Sequence, residues 1–193
     1  MKKSIVISGP SGTGKTVLAK TIATLLSDKI ENAVSATIRK KRDTEVHAED
    51  YYFLSNEDFM KKVENGEFIE WQSVYNGFLY GTPYSEMKRI QEKGKIPLFE
   101  IEVVGAKELK EKFGGELLSI FILPGGKDPI ETLRTRLIGR GTEDKKTLTE
   151  RLTKARWEIE QKIHFDRIIP NEEGKVEETL ARLKNIIEDF LKE

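Results

Sequence analysis

Gly9-Pro10-Ser11-Gly12-Thr13-Gly14-Lys15-Thr16 fits the spacing G-x-x-x-x-G-K-[ST] of a phosphate loop. The chemistry that this spacing supports is the binding of a nucleoside triphosphate. Small residues let successive backbone N–H groups turn toward a β-phosphate, and a helix starting at the loop's end points its positive dipole at the same oxygens. Lys15 is long enough to span the β- and γ-phosphates, and Thr16 offers a hydroxyl to a magnesium ion accompanying ATP. The loop also lies in the required order, after the apolar run Ser4-Ile5-Val6-Ile7-Ser8 and before a helical pattern.

A second concentration of charge surrounds Gly139-Arg140-Gly141, where Arg134, Arg136 and Arg140 are followed by Arg151. Arginines beside glycines predict a mobile basic flap. Such cations have to be placed, because they are not in excess: 33 Lys and Arg balance 33 Asp and Glu in 193 residues. No global field therefore favours nucleic acid or an anionic membrane as partner. The absence of cysteine excludes disulfides and thiolate zinc sites, and two histidines leave no histidine metal cluster. No apolar run reaches membrane-spanning length and the segment before Gly9 is too short for a signal peptide, so a cytoplasmic location is expected.

The elements that must position these groups read as α/β. Val17, Leu18, Ile22, Leu25 and Leu26 recur at helical spacing and predict a helix packed back on the first strand. Buried parallel strands are predicted over 96–101, 117–123 and 167–169, with helices near 105–113 and 129–137 and an amphipathic helix over about 176–191. This alternation predicts a doubly wound sheet. Between 33 and 82 the texture changes to short strand-like pieces rich in Tyr and Phe, as expected of an inserted lobe. There Asn76-Gly77 predicts a hairpin turn between strands over 67–74 and 78–80, and Thr82 is expected to cap a helix whose first residue is Pro83.

Specific segments then resemble guanylate kinase over nearly the whole chain. Ser35-Ala36-Thr37-Ile38-Arg39-Lys40-Lys41-Arg42, Glu45-Val46-His47 and Tyr51-Tyr52-Phe53 look like the family's motif for holding a nucleoside monophosphate. Phe68-Ile69-Glu70-Trp71, Tyr80-Gly81-Thr82, Leu133 through Arg140-Gly141, and Arg167 through Asn171 follow in the family's order. The resemblance implies a three-layer P-loop kinase fold: a core of 1–32, 83–124 and 151–193, an inserted mixed α/β lobe at 33–82 that binds GMP, and an arginine-rich lid at 125–150. It further implies transfer of the ATP γ-phosphoryl group to GMP and also to dGMP, with Mg²⁺, by a monomer or weak homodimer.

By the same resemblance Ser35, Arg39, Arg42, Tyr51, Glu70, Tyr80, Thr82 and Glu102 line the GMP pocket, Arg136, Arg140 and Arg151 close over the phosphates, and Asn171 lies beside the adenine of ATP. Guanine presents N1–H and N2–H₂ donors that one carboxylate can accept together, which makes Glu70 the expected base reader. Paired guanidiniums at Arg39 and Arg42 suit a phosphate dianion. The chain departs from the family at Glu100-Ile101-Glu102, where Asp-x-Asp is usual, and at Val104, where Gln is usual. Glu100 is the expected second group near the metal, acting through water. Two alternatives remain beside this reading: a kinase of the same fold with another acceptor such as a ribose bisphosphate, and a non-catalytic binding module. Intact Glu70, Tyr80 and Thr82 speak against the first, and retained Lys15, Thr16, Arg136 and Arg140 against the second.

Overall fold

The computed structural model describes residues 3–74, 77–139 and 145–192. Its centre is a five-stranded sheet in the order β2-β7-β1-β8-β9, with every neighbouring pair parallel. The strands are β1 (Ser4–Ser8), β2 (Ile30–Asn32), β7 (Ile96–Glu100), β8 (Leu117–Pro124) and β9 (Arg167–Asn171). Alternation along β1 divides the core into two layers. Ile5 and Ile7 face the helices α1 (Lys15–Leu25) and α7 (Val176–Lys192), meeting Leu18, Ile22, Leu183 and Ile187. Val6 faces the other side, where α4 (Val103–Phe113) contributes Val103, Ala106 and Leu109 against Phe99 and Phe121. Fully buried strands on a parallel sheet account for the continuous apolar runs.

The expected strands at 96–101, 117–123 and 167–169 are present, the last reaching Asn171, and β2 adds an edge strand that sequence reading had not identified. The helix after the loop is present too, but Val17 and Leu25 turn outward, 62% and 55% exposed, while Ala19 joins Leu18, Ile22 and Leu26 in the core. Apolar residues fall on both sides of α1, and only one side has a sheet to meet.

A second sheet, β4-β3-β6-β5, is built from β3 (Ala36–Thr37), β4 (Tyr52–Phe53), β5 (Phe68–Ser73) and β6 (Leu79–Pro83). Helix α2 (Asn56–Glu64), capped by the Ser55 hydroxyl on Asp58 N–H, stacks Phe59 on Phe68 with ring centroids 4.5 Å apart. The β5–β6 pair is antiparallel as the hairpin expectation requires, although part of its turn, 75 and 76, lies outside the described residues. Thr82 does not cap a helix, and Pro83 is not its first residue. Thr82 ends inside β6 with its hydroxyl on Glu70, and α3 (Tyr84–Glu92) begins one residue after Pro83 without a side-chain cap. Helices α5 (Pro129–Gly139) and α6 (Lys145–Glu160) follow β8, and α6 runs without interruption from 145 to 160. Among the described residues no helix is long and apolar enough to cross a membrane.

Candidate functional site

The carboxyl ends of β1 and β7 and the facing surface of the second sheet enclose a cleft of about 870 Å³. Its floor is the phosphate loop. Gly9 has φ 140°, and a Cβ there would stand 2.4 Å from the carbonyl oxygen of Ile122, so the turn out of β1 admits only glycine. Gly14 ends the loop in left-handed conformation and its carbonyl accepts the Leu18 N–H, which starts α1 with its amino end toward the cleft. Lys15 is buried and folds back to donate to the carbonyls of Gly9 (2.5 Å) and Pro10 (3.0 Å). Its ammonium is thus held over the loop by weak neutral acceptors that phosphate oxygens can replace.

The Thr16 hydroxyl donates to Glu100 Oε1 at 2.6 Å, joining the first turn of α1 to the end of β7. Burial raises the Glu100 carboxyl above its ordinary range despite the pull of Lys15 and the Thr16 hydroxyl. Two residues on, burial also works against the charge of Glu102, but Lys15 and Lys154 outweigh it and hold that carboxyl low. Lys154 Nζ donates to Glu102 at 3.0 Å and stands 3.6 Å from Glu158, four residues on along α6. Glu158 is fully buried, and burial together with the neighbouring Glu102 charge raises its carboxyl well above the usual range. Neither Glu158 nor Lys154 is singled out by the sequence.

Across the cleft, Glu70 is buried on β5 and accepts from the Thr82 hydroxyl at 2.8 Å. Ser35 and Thr82 hydroxyls lie 3.0 Å apart, so the three form a chain. Burial raises Glu70 to about 7, and the Thr82 hydroxyl only partly offsets it. Gly105 leaves room for this carboxylate, since a Cβ there would approach Glu70 Oε2 to 2.7 Å.

Toward the lobe's outer side, Arg39 makes a fork with Glu45, Nη1 to Oε2 at 2.7 Å and Nη2 to Oε1 at 2.5 Å, and lies 5.1 Å from the Tyr51 ring centre. Arg42 is 72% exposed, its head 3.8 Å from Glu45. Tyr51 and Tyr80 meet edge to face at 5.8 Å. Glu45, the brace of both arginines, belonged to the quoted motif but had been given no role.

Of the expected site residues, Ser11, Gly12, Gly14, Lys15, Thr16, Ser35, Arg39, Arg42, Tyr51, Glu70, Tyr80, Glu100, Glu102 and Arg151 line this one cleft. Thr82 stands behind Glu70. Gly9, Pro10 and Thr13 shape the loop, Thr13 by donating its hydroxyl to the Pro10 carbonyl at 2.9 Å. Asn171 lies under the loop, and its carbonyl accepts from Arg136 Nη2 at 2.9 Å. Arg140 lies outside the described residues. Gln72 lines the cleft as well and had not been singled out.

A family model described as guanylate kinase matches residues 1–190. The chain is 40% identical over 173 residues to a guanylate kinase of Porphyromonas gingivalis, covering 90% of each chain. It is 41% identical over 187 residues to one of Prochlorococcus marinus, covering 97% of each. A solved guanylate kinase structure from Anaplasma phagocytophilum superposes with a TM-score of 0.75 at 31% identity, over 97% of this chain and 85% of that one.

Proposed function

The chain belongs to the guanylate kinase family, and from that premise we propose that it transfers the γ-phosphoryl group of ATP to GMP, giving ADP and GDP. The observation that carries this reading is a single cleft lined by a phosphate loop and, across from it, by a buried carboxylate, Glu70. A ribose bisphosphate has no base for that carboxylate to read, so it does not account for the buried Glu70–Thr82–Ser35 chain. A module that only binds does not account for Lys15 poised on the loop.

The chemistry needs no general base. The attacking oxygen of GMP is already ionised near neutral pH, the second phosphate pKa being about 6. The work is positioning and charge neutralisation. The loop and Lys15 hold the triphosphate, and Arg39 and Arg42 hold the acceptor phosphate, with Tyr51 and Tyr80 beside it. Glu70 and Glu102 face the guanine, Asn171 supports the adenine side, and Arg136, Arg140 and Arg151 close over the transferred group. An ATP-using kinase works with a divalent cation, and the residues present fit Mg²⁺. Among the described residues no three acidic, His or Cys side chains form a cage. Thr16 and Glu100, already joined by a hydrogen bond at the end of β7, would hold such a cation, Thr16 by its hydroxyl and Glu100 through water. Its contribution is to neutralise phosphate charge.

The test is ADP release with ATP and Mg²⁺, offering GMP, dGMP, AMP, UMP and ribose 1,5-bisphosphate in separate assays, beside a Glu70→Gln variant. GMP-dependent turnover that collapses in the variant supports the reading. Turnover with ribose 1,5-bisphosphate and not GMP, or ATP binding without turnover, overturns it.

A further inference from the structure

We infer that Gln72 reads the 6-oxo group of the acceptor base, its side-chain amide donating to O6 while Glu70 accepts from the neighbouring N–H groups. The inference rests on the guanine-acceptor reading above and adds a residue to it. Gln72 lies two positions after Glu70 on β5, so both side chains leave the same face of the strand, and both line the cleft. The ends of the two side chains converge over one point of backbone. A Cβ built on Gly105 would stand 2.7 Å from Glu70 Oε2 and 3.1 Å from Gln72 Nε2.

Gln72 Nε2 is buried and has no hydrogen-bond partner among the described residues. An orphaned buried amide donor is costly and calls for a partner. Donors on four surrounding residues are already committed. The Thr82 hydroxyl hydrogen lies on Glu70, so the hydrogen between Ser35 and Thr82 must come from Ser35. Lys112 donates to the Ile69 carbonyl, and Arg39 is forked on Glu45. The guanine edge presents an acceptor, O6, directly beside N1–H. A carboxylate aligned on N1–H and N2–H₂ repels that oxygen unless a donor stands next to it. Gln72 is an uncommitted neutral donor beside the Glu70 carboxylate on the lining of the cleft.

The test is steady-state kinetics with GMP and with 6-thio-GMP, whose sulfur is a weak acceptor. The wild-type chain, Gln72→Met and Gln72→Glu are compared, with the KM for ATP as a check on the loop side. The wild-type chain is expected to prefer GMP. In Gln72→Met, kcat/KM for GMP should fall about ten-fold through KM, the factor that one lost neutral hydrogen bond leaves. The fall for 6-thio-GMP should be smaller, so the preference shrinks, and the KM for ATP should hold. Gln72→Glu keeps size and polarity but sets an acceptor against O6, and should lose GMP turnover selectively even if the methionine variant folds poorly. Equal falls for both acceptors, or no fall for GMP, overturn the inference. A wild-type chain without GMP turnover removes the kinase reading itself, an outcome told apart by the wild-type arm alone.

Discussion

Nδ2 of Asn171 donates to the carbonyl oxygen of Thr13 across 2.7 Å, tying the last strand of the sheet to the loop that follows the first. The backbone carbonyl of the same residue accepts from Arg136 and from the Gly125 N–H. The loop's shape therefore depends on a strand that enters the sheet last. Asn171→Ala leaves the buried Thr13 carbonyl without this donor and should cost about 1–2 kcal/mol of stability. ATP binding should weaken and GMP binding should not. Thermal unfolding with separate titrations of the two nucleotides checks it, and equal weakening of both would refute the assignment.

The Lys15 ammonium is buried on the carbonyls of Gly9 and Pro10. Lys15→Met leaves these carbonyls without that donor and should cost about 1–2 kcal/mol of stability, and it is expected to lose about 10³-fold in kcat, by the measure of other cations on a transferred phosphoryl group. Single-turnover rates at saturating ATP and GMP decide it, and a loss below ten-fold would place the catalytic charge elsewhere.

Glu70 titrates at about 7 in the folded chain, above the 4.5 of an unperturbed glutamate. The folded state holds this proton more tightly than the unfolded chain. The stability it brings is fully present below pH 4.5 and is lost as pH rises through about 7. Glu70→Gln removes that loss. The ligand-free variant should gain up to about 3 kcal/mol over the native chain near pH ~8 and nothing near pH ~4. The KM for GMP should fall as pH rises through about 7 in the native chain, as the carboxylate ionises, and this fall should be missing from the variant. Denaturant unfolding across pH, with matched kinetics, measures both.

Gly105→Ala places a methyl group 2.7 Å from Glu70 Oε2 and 3.1 Å from Gln72 Nε2. The backbone there is helical, so α4 itself accepts the alanine. The KM for GMP should rise at least about ten-fold with the KM for ATP unchanged, if both displaced groups read the acceptor base as proposed above. Equal changes in the two constants would point to damage in the sheet instead.

The lobe and the helices after β8 should approach one another around both nucleotides, since an open site would let water take the phosphoryl group. Small-angle scattering is expected to show a smaller radius of gyration with GMP and a non-hydrolysable ATP analogue than without ligands. Superimposable profiles would argue against closure.

The phosphate loop and the parallel strands were legible in the sequence because their signals are local: a spacing of eight residues, or a run of apolar ones. The lobe's site residues were legible through resemblance, which carried Glu70 and Arg39 to the cleft that encloses them. What escaped depends on approach between distant elements. Glu45 forks Arg39, and buried Glu86 on α3 accepts from the Val34 N–H and the Tyr52 hydroxyl, yet each reads as one more acid in a charged stretch. Glu158 lies in a helix dense with charge and is fully buried. Thr82 has the sequence of a helix cap, but a buried carboxylate on the paired strand takes its hydroxyl.

Arg151, Lys154 and Glu158 share one face over successive turns of α6: the first lines the cleft, the second bonds Glu102, and the third lies against that pair. All three side chains sit on one helix of 16 residues. On the roles proposed above for Arg151 and Glu102, a tilt of that helix would move the phosphate cation and the ammonium on Glu102 together, and so would link the two halves of the site.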